Sequence, residues 1–286
     1  MSNYPLTFCI STHNNLDYLK LAIHSVRQNS YFKDAPFIVH AENCTDGTNN
    51  WLHKNQNVYN LDVYIEHNAV PVGIGGGMNF CANHVETEYI MFLHSDFYVT
   101  KDWDKALLNV HEKYPTEKLW VNSYRIEPNM FNFNSPGPPG TTFVPLDMFG
   151  AYYYDFNSSE FEAWAEEFKT LNQAYEIPKG EGVSGLVRKT VWDEVGGNDP
   201  IFAPTSWDDM DLFVRMLNHN VKFVLPATSI VWHFGARGSH RLEDNKGQTS
   251  QRQIDAEFAN RYKFYNKWKQ LPEFDEYGMI QKITVI

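Results

Sequence analysis

Residues 89–96 read Tyr-Ile-Met-Phe-Leu-His-Ser-Asp: five apolar side chains in a row, then three polar ones. So short and unbroken an apolar run is a strand covered on both faces, as strands of parallel sheets are. Its polar end puts His94, Ser95 and Asp96 at the carboxyl end of that strand, where open α/β sheets bind their ligands. Upstream, the same pattern repeats. Leu6–Thr12 (LTFCIST) is a strand. Leu16, Leu19, Ile23 and Val26 then recur at helical spacing, with Asn14 or Asn15 available as N-cap. Phe37–Glu42 (FIVHAE) is a second strand, followed by the turn-rich NCTDGTNN, and Asp62–His67 a third. A glycine cluster, Gly73-Ile-Gly-Gly-Gly77, leads into a helix through Val85. This alternation predicts a doubly wound α/β sheet. It brings Thr12, His13, Asn14, Glu42, Asp46, His94 and Asp96 to one crevice.

Downstream the pattern loosens. Glu127–Gly150 is rich in Pro, Gly and Asn, the composition of a long functional loop. Ser159–Tyr175 reads as a helix capped by Ser159. A short strand (VSGLV), a short helix ending at Gly196-Gly197, a helix around Met210–Leu217 and two β segments (VKFVL, SIVWHF) follow. Gln251–Lys269 reads as an amphipathic C-terminal helix that packs back on the domain. Its Arg252, Arg261, Lys263, Lys267 and Lys269 make it a candidate for peripheral membrane or partner contact.

The 286 residues carry a formal net charge of -11 with no dense basic run, which argues against a nucleic-acid partner. An anionic substrate here needs a metal ion or a local positive patch. Cys9, Cys44 and Cys81 are few and far apart, which excludes a disulfide framework and fits a reducing, cytoplasmic setting. The N-terminus lacks the pattern of a signal peptide, and no apolar run is long enough to span a membrane. Aromatics, 15% of the chain, serve cores but also stack on sugar rings and nucleobases.

Five segments, in order from about Thr7 to about His240, resemble glycosyltransferase family 2, the large inverting GT-A family. Thr12-His13-Asn14 resembles the family's P-T-Y-N strand ending. Glu42 to Thr48 (ENCTDGT) resembles D-D-G-S-T-D-G-T. Asn68 with Gly73 to Asn79 resembles its N-x-G…N stretch, and His94-Ser95-Asp96 stands at the D-x-D position. Gly182 to Arg188 through Asp199, followed by Trp207-Asp-Asp-Met-Asp-Leu…Arg215, resembles the acceptor-side region with its E-D-x-D-L…R motif. The resemblance implies a GT-A (Rossmann-like), mainly parallel mixed sheet flanked by helices. The catalytic domain would run over 1–240, with 1–100 holding the nucleotide and 101–240 facing the acceptor. Residues 241–286 would form a helical extension.

The implied reaction moves a sugar from a nucleoside diphosphate, UDP by preference, onto the hydroxyl of a glycan, lipid-linked or protein acceptor. The diphosphate leaving group calls for Mn²⁺ or Mg²⁺. Asp96 is the implied ligand, and His233, after the last β segment, a second. His94 departs from the pattern, standing where the first Asp of D-x-D is expected, and serves as a ribose contact or as an Mn²⁺ ligand. His240 is a further metal candidate, with Arg237 and Arg241 beside it for phosphate. Asp209 falls where the family places its base, Asp208 would orient the acceptor, and Trp207 would stack on a sugar face. Asp208 and Asp209 equally suit the first turn of a helix, and Asp211 with Arg215 forms an i,i+4 pair of structural type. Thr12, His13, Asn14, Glu42, Asp46, Asn79, Ser95, Gly182, Ser184 and Gly185 complete the implied donor site.

Four other readings compete. The glycine cluster fails the dinucleotide pattern G-x-G-x-x-G, because Met78 replaces its third Gly and the cluster follows the third strand. A nucleotidyltransferase would need a Gly-rich basic loop where STHNN stands. A catalytically degenerate binding protein, or a retaining transferase, remains open on sequence alone.

Overall fold

The computed structural model describes residues 3–130, 140–173, 175–177, 182, 184–235, 251–275, 280 and 283. The N-terminal half alternates as expected: β1 (Leu6–Thr12), α1 (Leu16–Asn29), β2 (Phe37–Glu42), α2 (Thr48–Asn55), β3 (Asp62–Glu66), α3 (Gly73–Asn83) and β4 (Tyr89–Leu93). β5 (Phe97–Val99), α4 (Trp103–Lys113), β6 (Leu119–Asn122), β7 (Tyr124–Pro128), β8 (Thr141–Val144), α5 (Leu146–Phe149) and α6 (Ser158–Leu171) follow. After them come β9 (Glu176–Ile177), β10 (Gly185–Arg188), α7 (Lys189–Val195), α8 (Asp208–Asn218), β11 (Lys222–Pro226), β12 (Ile230–His233) and α9 (Gln251–Trp268).

Eight strands form one sheet in the order β3-β2-β1-β4-β10-β6-β11-β9. The first four run parallel, and β10 enters antiparallel between β4 and β6. Their register aligns Thr12 with Ala41 and Glu42 with Glu66, so the polar strand endings share one edge. A second sheet, β5-β12-β7-β8, stands beside that edge.

Three apolar cores hold these layers. One lies between the large sheet and α1 and α4, around Phe8, Phe37 and Trp103. A second joins α3, α7 and α8 to the other face, and takes in Phe264 and Trp268 of α9. Full burial of Phe264 contributes roughly 1.5–3 kcal/mol to seating that helix. The third, under the small sheet, is built of rings: Tyr98, Phe149, Phe161, Trp232 and Phe234. Much of the aromatic content is therefore core.

Two caps differ from expectation. Asn15 sits at the N-cap of α1 in a left-handed conformation (φ 73°) without a side-chain bond to the helix. The Asp46 carboxylate, arriving from the β2–α2 loop, accepts from Leu16 N at 2.9 Å instead. Helix α6 is capped by Asn157, whose side chain accepts from Glu160 N at 3.3 Å, and not by Ser159, which lies within the helix. Among the described residues no helix is long and apolar enough to cross a membrane.

Candidate active site

Asp96 ends the short bend between β4 and β5, directly before Phe97. Antiparallel pairing of β5 with β12 sets His233 opposite Phe97, which brings it beside Asp96. His94, Asp96 and His233 each offer a ligand atom within 4.8 Å of the others. His233 Nε2 lies 3.5 Å from Asp96 Oδ1, and its Nδ1 lies 2.9 Å from Glu127 Oε1. The His94 ring stands edge-on to it, with centroids 5.5 Å apart. His94 Nε2 is buried and has no hydrogen-bond partner among the described residues.

The charges follow from this packing. Burial, aided by the neighbouring His233 charge, pushes His94 down to about 4. Burial also opposes charge on His233, but Asp96 and Glu127 outweigh it and lift His233 to about 10. Burial opposes charge on Glu127 as well, but the charge and hydrogen bond of His233, together with Arg125, outweigh it and hold Glu127 low. Without a metal the cluster is therefore two carboxylates bridged by an imidazolium, with a neutral imidazole facing them. Two ring nitrogens and a carboxylate oxygen converging, one nitrogen unpartnered, fit a divalent cation.

His94 also lines a cleft of about 550 Å³ with Ile74, Trp207, Asp208, Asp209 and Glu257. Asp208 and Asp209 open α8, where a helix N-terminus tolerates acids. Burial and the adjacent Asp209 charge raise Asp208 to about 7. Burial raises Asp209 too, although the Met210 amide donates to its Oδ1 at 2.8 Å. Asp211 and Arg215 make the expected pair at 2.8 Å. Asp211 also accepts from Lys267 and Trp268, at 2.7 and 2.8 Å, and so ties α8 to α9.

The donor-side candidates lie at the carboxyl ends of β1 and β2, laced to one another. Thr12 Oγ1 donates to Asn14 O, His13 Nδ1 contacts Glu42 O at 2.8 Å, and Asn14 Oδ1 accepts from Thr45 N at 2.7 Å. Glu42 accepts from Asn68 Nδ2 and from the amides of Val72 and Gly73 at 2.7–3.0 Å, gripping the start of α3. Asn79 exchanges two 2.8 Å bonds with the Asn198 backbone. Both side chains are thus committed to shaping the crevice wall. Ser95 Oγ accepts from Asn15 Nδ2 at 3.3 Å. Gly182, Ser184 and Gly185 approach β6 and Arg125: Trp120 Nε1 donates to Gly182 O at 2.8 Å, and a Cβ on Gly185 would meet Trp120 at 2.6 Å. Arg237, His240 and Arg241 lie outside the described residues.

Sequence reasoning missed Glu127, Arg125, Glu257 and Asn260. Alternation along Tyr124–Pro128 puts Arg125 and Glu127 on one face of β7, but five residues are too few for that period to stand out in the sequence. Arg125 acts electrostatically on both His94 and Asp209. In α9, Gln253, Glu257 and Asn260 continue the helix face that Phe264 and Trp268 bury. A polar half to a buried stripe points to polar partners across it.

The family model for glycosyl transferase family 2 matches residues 7–170, more than half of the chain. The chain belongs to glycosyl transferase family 2. Its sheet order and layers are those of the GT-A fold. Among solved structures it is similar to S. aureus TarS (15% identity, 82% of this chain, 37% of that one, TM-score 0.55). It is also similar to TarS 1-349 in complex with UDP-GlcNAc (16%, 82% and 61%, TM-score 0.52). GalNAc-T7 with UDP, GalNAc and Mn²⁺ is a third (14%, 80% and 43%, TM-score 0.57). At these identities the likeness speaks for the fold. The chain spans less than two thirds of each of those structures. No curated protein matches it by sequence.

Proposed function

We propose that this family 2 protein transfers a sugar from a nucleoside diphosphate, UDP by preference, to an acceptor hydroxyl, with a divalent cation and with inversion. One observation carries the reading. His94 belongs both to the His94–Asp96–His233 cluster and to the cleft that holds Asp208 and Asp209. A site for the leaving diphosphate and a site for the attacking hydroxyl thus share a wall. The solved TarS complexes with UDP and UDP-GlcNAc, and GalNAc-T7 with Mn²⁺, lend support for donor and ion.

Asp96, His233 and His94 would hold the cation, which supplies Lewis-acid charge to the departing diphosphate. Without the ion, the His233 imidazolium supplies the positive charge between Asp96 and Glu127. Asp209 is assigned as the base that takes the acceptor proton, and Asp208, which lines the same cleft, as the group that orients the acceptor. Burial raises both carboxyls, Asp208 to about 7, in the direction such a role needs. Trp207 offers a ring face to the acceptor sugar. Thr12, Asn14 and Asp46 border the crevice for base and ribose, with Arg125 a positive charge beside the sugar side. On this reading residues 1–100 serve the donor, 101–240 the acceptor, and 241–286 close the molecule.

Calorimetric titration of UDP, GDP and dTDP, with and without Mn²⁺, tests this. UDP binding that requires Mn²⁺ and disappears in Asp96→Ala is the expected outcome. No nucleotide bound in either condition would refute active transfer and leave a degenerate binding protein.

A further inference from the structure

Helix α9 begins well beyond the residues that match the family model, yet it reaches into the cleft. The turn leading to Asp208 and Asp209 has two successive non-glycine residues in the left-handed region, Ser206 (φ 73°) and Trp207 (φ 67°). L residues rarely adopt this conformation, and it persists where surrounding bonds over-determine it. Those bonds come from α9. Asn260, 1% exposed, directs Nδ2 at the carbonyls of Phe202, Thr205 and Ser206, at 2.6, 2.7 and 3.0 Å. An amide nitrogen has two protons, so three acceptors this close saturate it. Gln253 Nε2 donates to Ser206 Oγ at 2.7 Å, and Glu257 Oε1 accepts from Trp207 Nε1 at 2.7 Å. One turn into α8, Asp211 is bonded to Lys267 and Trp268 of the same helix. Helix α9 thus grips the chain on both sides of Asp208-Asp209.

We propose that Asn260 is a positioning residue for the transfer reaction, holding the Ser206–Trp207 turn so that Trp207, Asp208 and Asp209 face the cleft, with Glu257 fixing the Trp207 ring. This rests on the function proposed above. It makes α9 a working part of the acceptor side, where packing alone would have been expected of it.

The test uses the full chain with Asn260→Leu, similar in size but without donors, Asn260→Gln, which restores them, and Glu257→Ala. Three readouts are taken: UDP affinity with Mn²⁺, UDP release from UDP-GlcNAc, UDP-GalNAc and UDP-glucose, and hydrogen exchange across residues 203–211. For Asn260→Leu we expect UDP affinity within twofold of wild type, kcat lowered 10- to 100-fold, a displaced pH–rate profile and faster exchange confined to 203–211. Asn260→Gln should recover part of kcat, and Glu257→Ala should lower kcat severalfold. A folded Asn260→Leu with wild-type kcat, pH profile and exchange overturns the proposal. So does equal loss of UDP affinity and kcat, which marks general destabilisation. If Asn260→Leu does not fold, Glu257→Ala decides by the same criteria. If wild type releases UDP from none of the three donors, the transferase reading fails, and the exchange pattern alone decides whether Asn260 holds the turn.

Discussion

Glu127 Oε1 lies 2.9 Å from His233 Nδ1, which leaves the opposite nitrogen, Nε2, turned to Asp96 at 3.5 Å. A carboxylate behind an imidazole fixes ring orientation and strengthens it as a ligand, and losing such a partner typically costs about 10–100-fold in metal affinity. We therefore expect Glu127→Gln to weaken Mn²⁺ binding by that factor, and Asp96→Ala or His233→Ala to remove it. Electron paramagnetic resonance of free Mn²⁺ during titration measures this without any turnover. Unchanged affinity in Glu127→Gln would confine the pair to a packing role.

The assignment of Asp209 as base predicts a kinetic split. Asp209→Asn should lower kcat by roughly 10²–10⁴-fold while UDP still binds. Asp208→Asn should act mainly on the acceptor KM. Initial-rate measurements at varied acceptor separate the two, and reversal of that pattern would exchange the roles of the carboxylates. Product anomer analysis by NMR reports inversion or retention independently.

Asp208 also governs a pH dependence of stability. Its folded-state value, about 7, stands above the ordinary 3.8 because burial and the Asp209 charge disfavour ionisation. The folded state therefore binds more protons across that interval, and stability falls as pH rises from about 4 through about 7. Below that window the carboxyl is protonated in both states and costs nothing; above it the full cost is present. Asp208→Asn should melt higher than wild type at pH 8, by about 2–4 °C per kcal/mol recovered, and nearly match it at pH 4. Thermal melts in a pH series check the sign.

Two glycines in α3 are required by contact. A Cβ on Gly73, at φ +69°, would fall 1.7 Å from Pro204 O, and one on Gly77 would fall 1.9 Å from Ser11 Oγ. Gly73→Ala must push α3 from the turn before Asp208, and Gly77→Ala must push it from β1. Each should cost at least about 1–3 kcal/mol by urea denaturation. The same contacts explain why GIGGGMN suits this fold without being a dinucleotide loop: the glycines admit neighbouring chain, not a phosphate.

The first 96 residues were legible because each strand and helix there is a contiguous run whose period survives in sequence, and because parallel strands end in polar residues along one edge. Legibility fades where structure is made from pieces distant in sequence. The strands Phe97–Val99, Tyr124–Pro128 and Thr141–Val144 are three to five residues long, too short to show a period. Their sheet is completed by Ile230–His233 from far along the chain. Helix Trp103–Lys113 was not singled out either: buried Asp104 and His111 interrupt its apolar face. Asp96 and His233 could be named from motif position. Glu127 and Asn260 could not, because nothing local distinguishes a carboxylate that orients a histidine, or an amide that holds another helix's turn, from surface polarity.

Strand β12 is an inner strand of the small sheet, between β5 and β7, and it delivers His233. On a ribosome adding about 5–20 residues per second, His233 emerges on the order of ten seconds after Asp96. A nascent chain therefore exposes the polar endings of β1, β2 and β4 well before the His94–Asp96–His233 cluster can assemble, and on the function proposed above part-made molecules lack the group that would hold the cation. The cluster is completed late in synthesis, at a moment set by where one strand falls in the translation order.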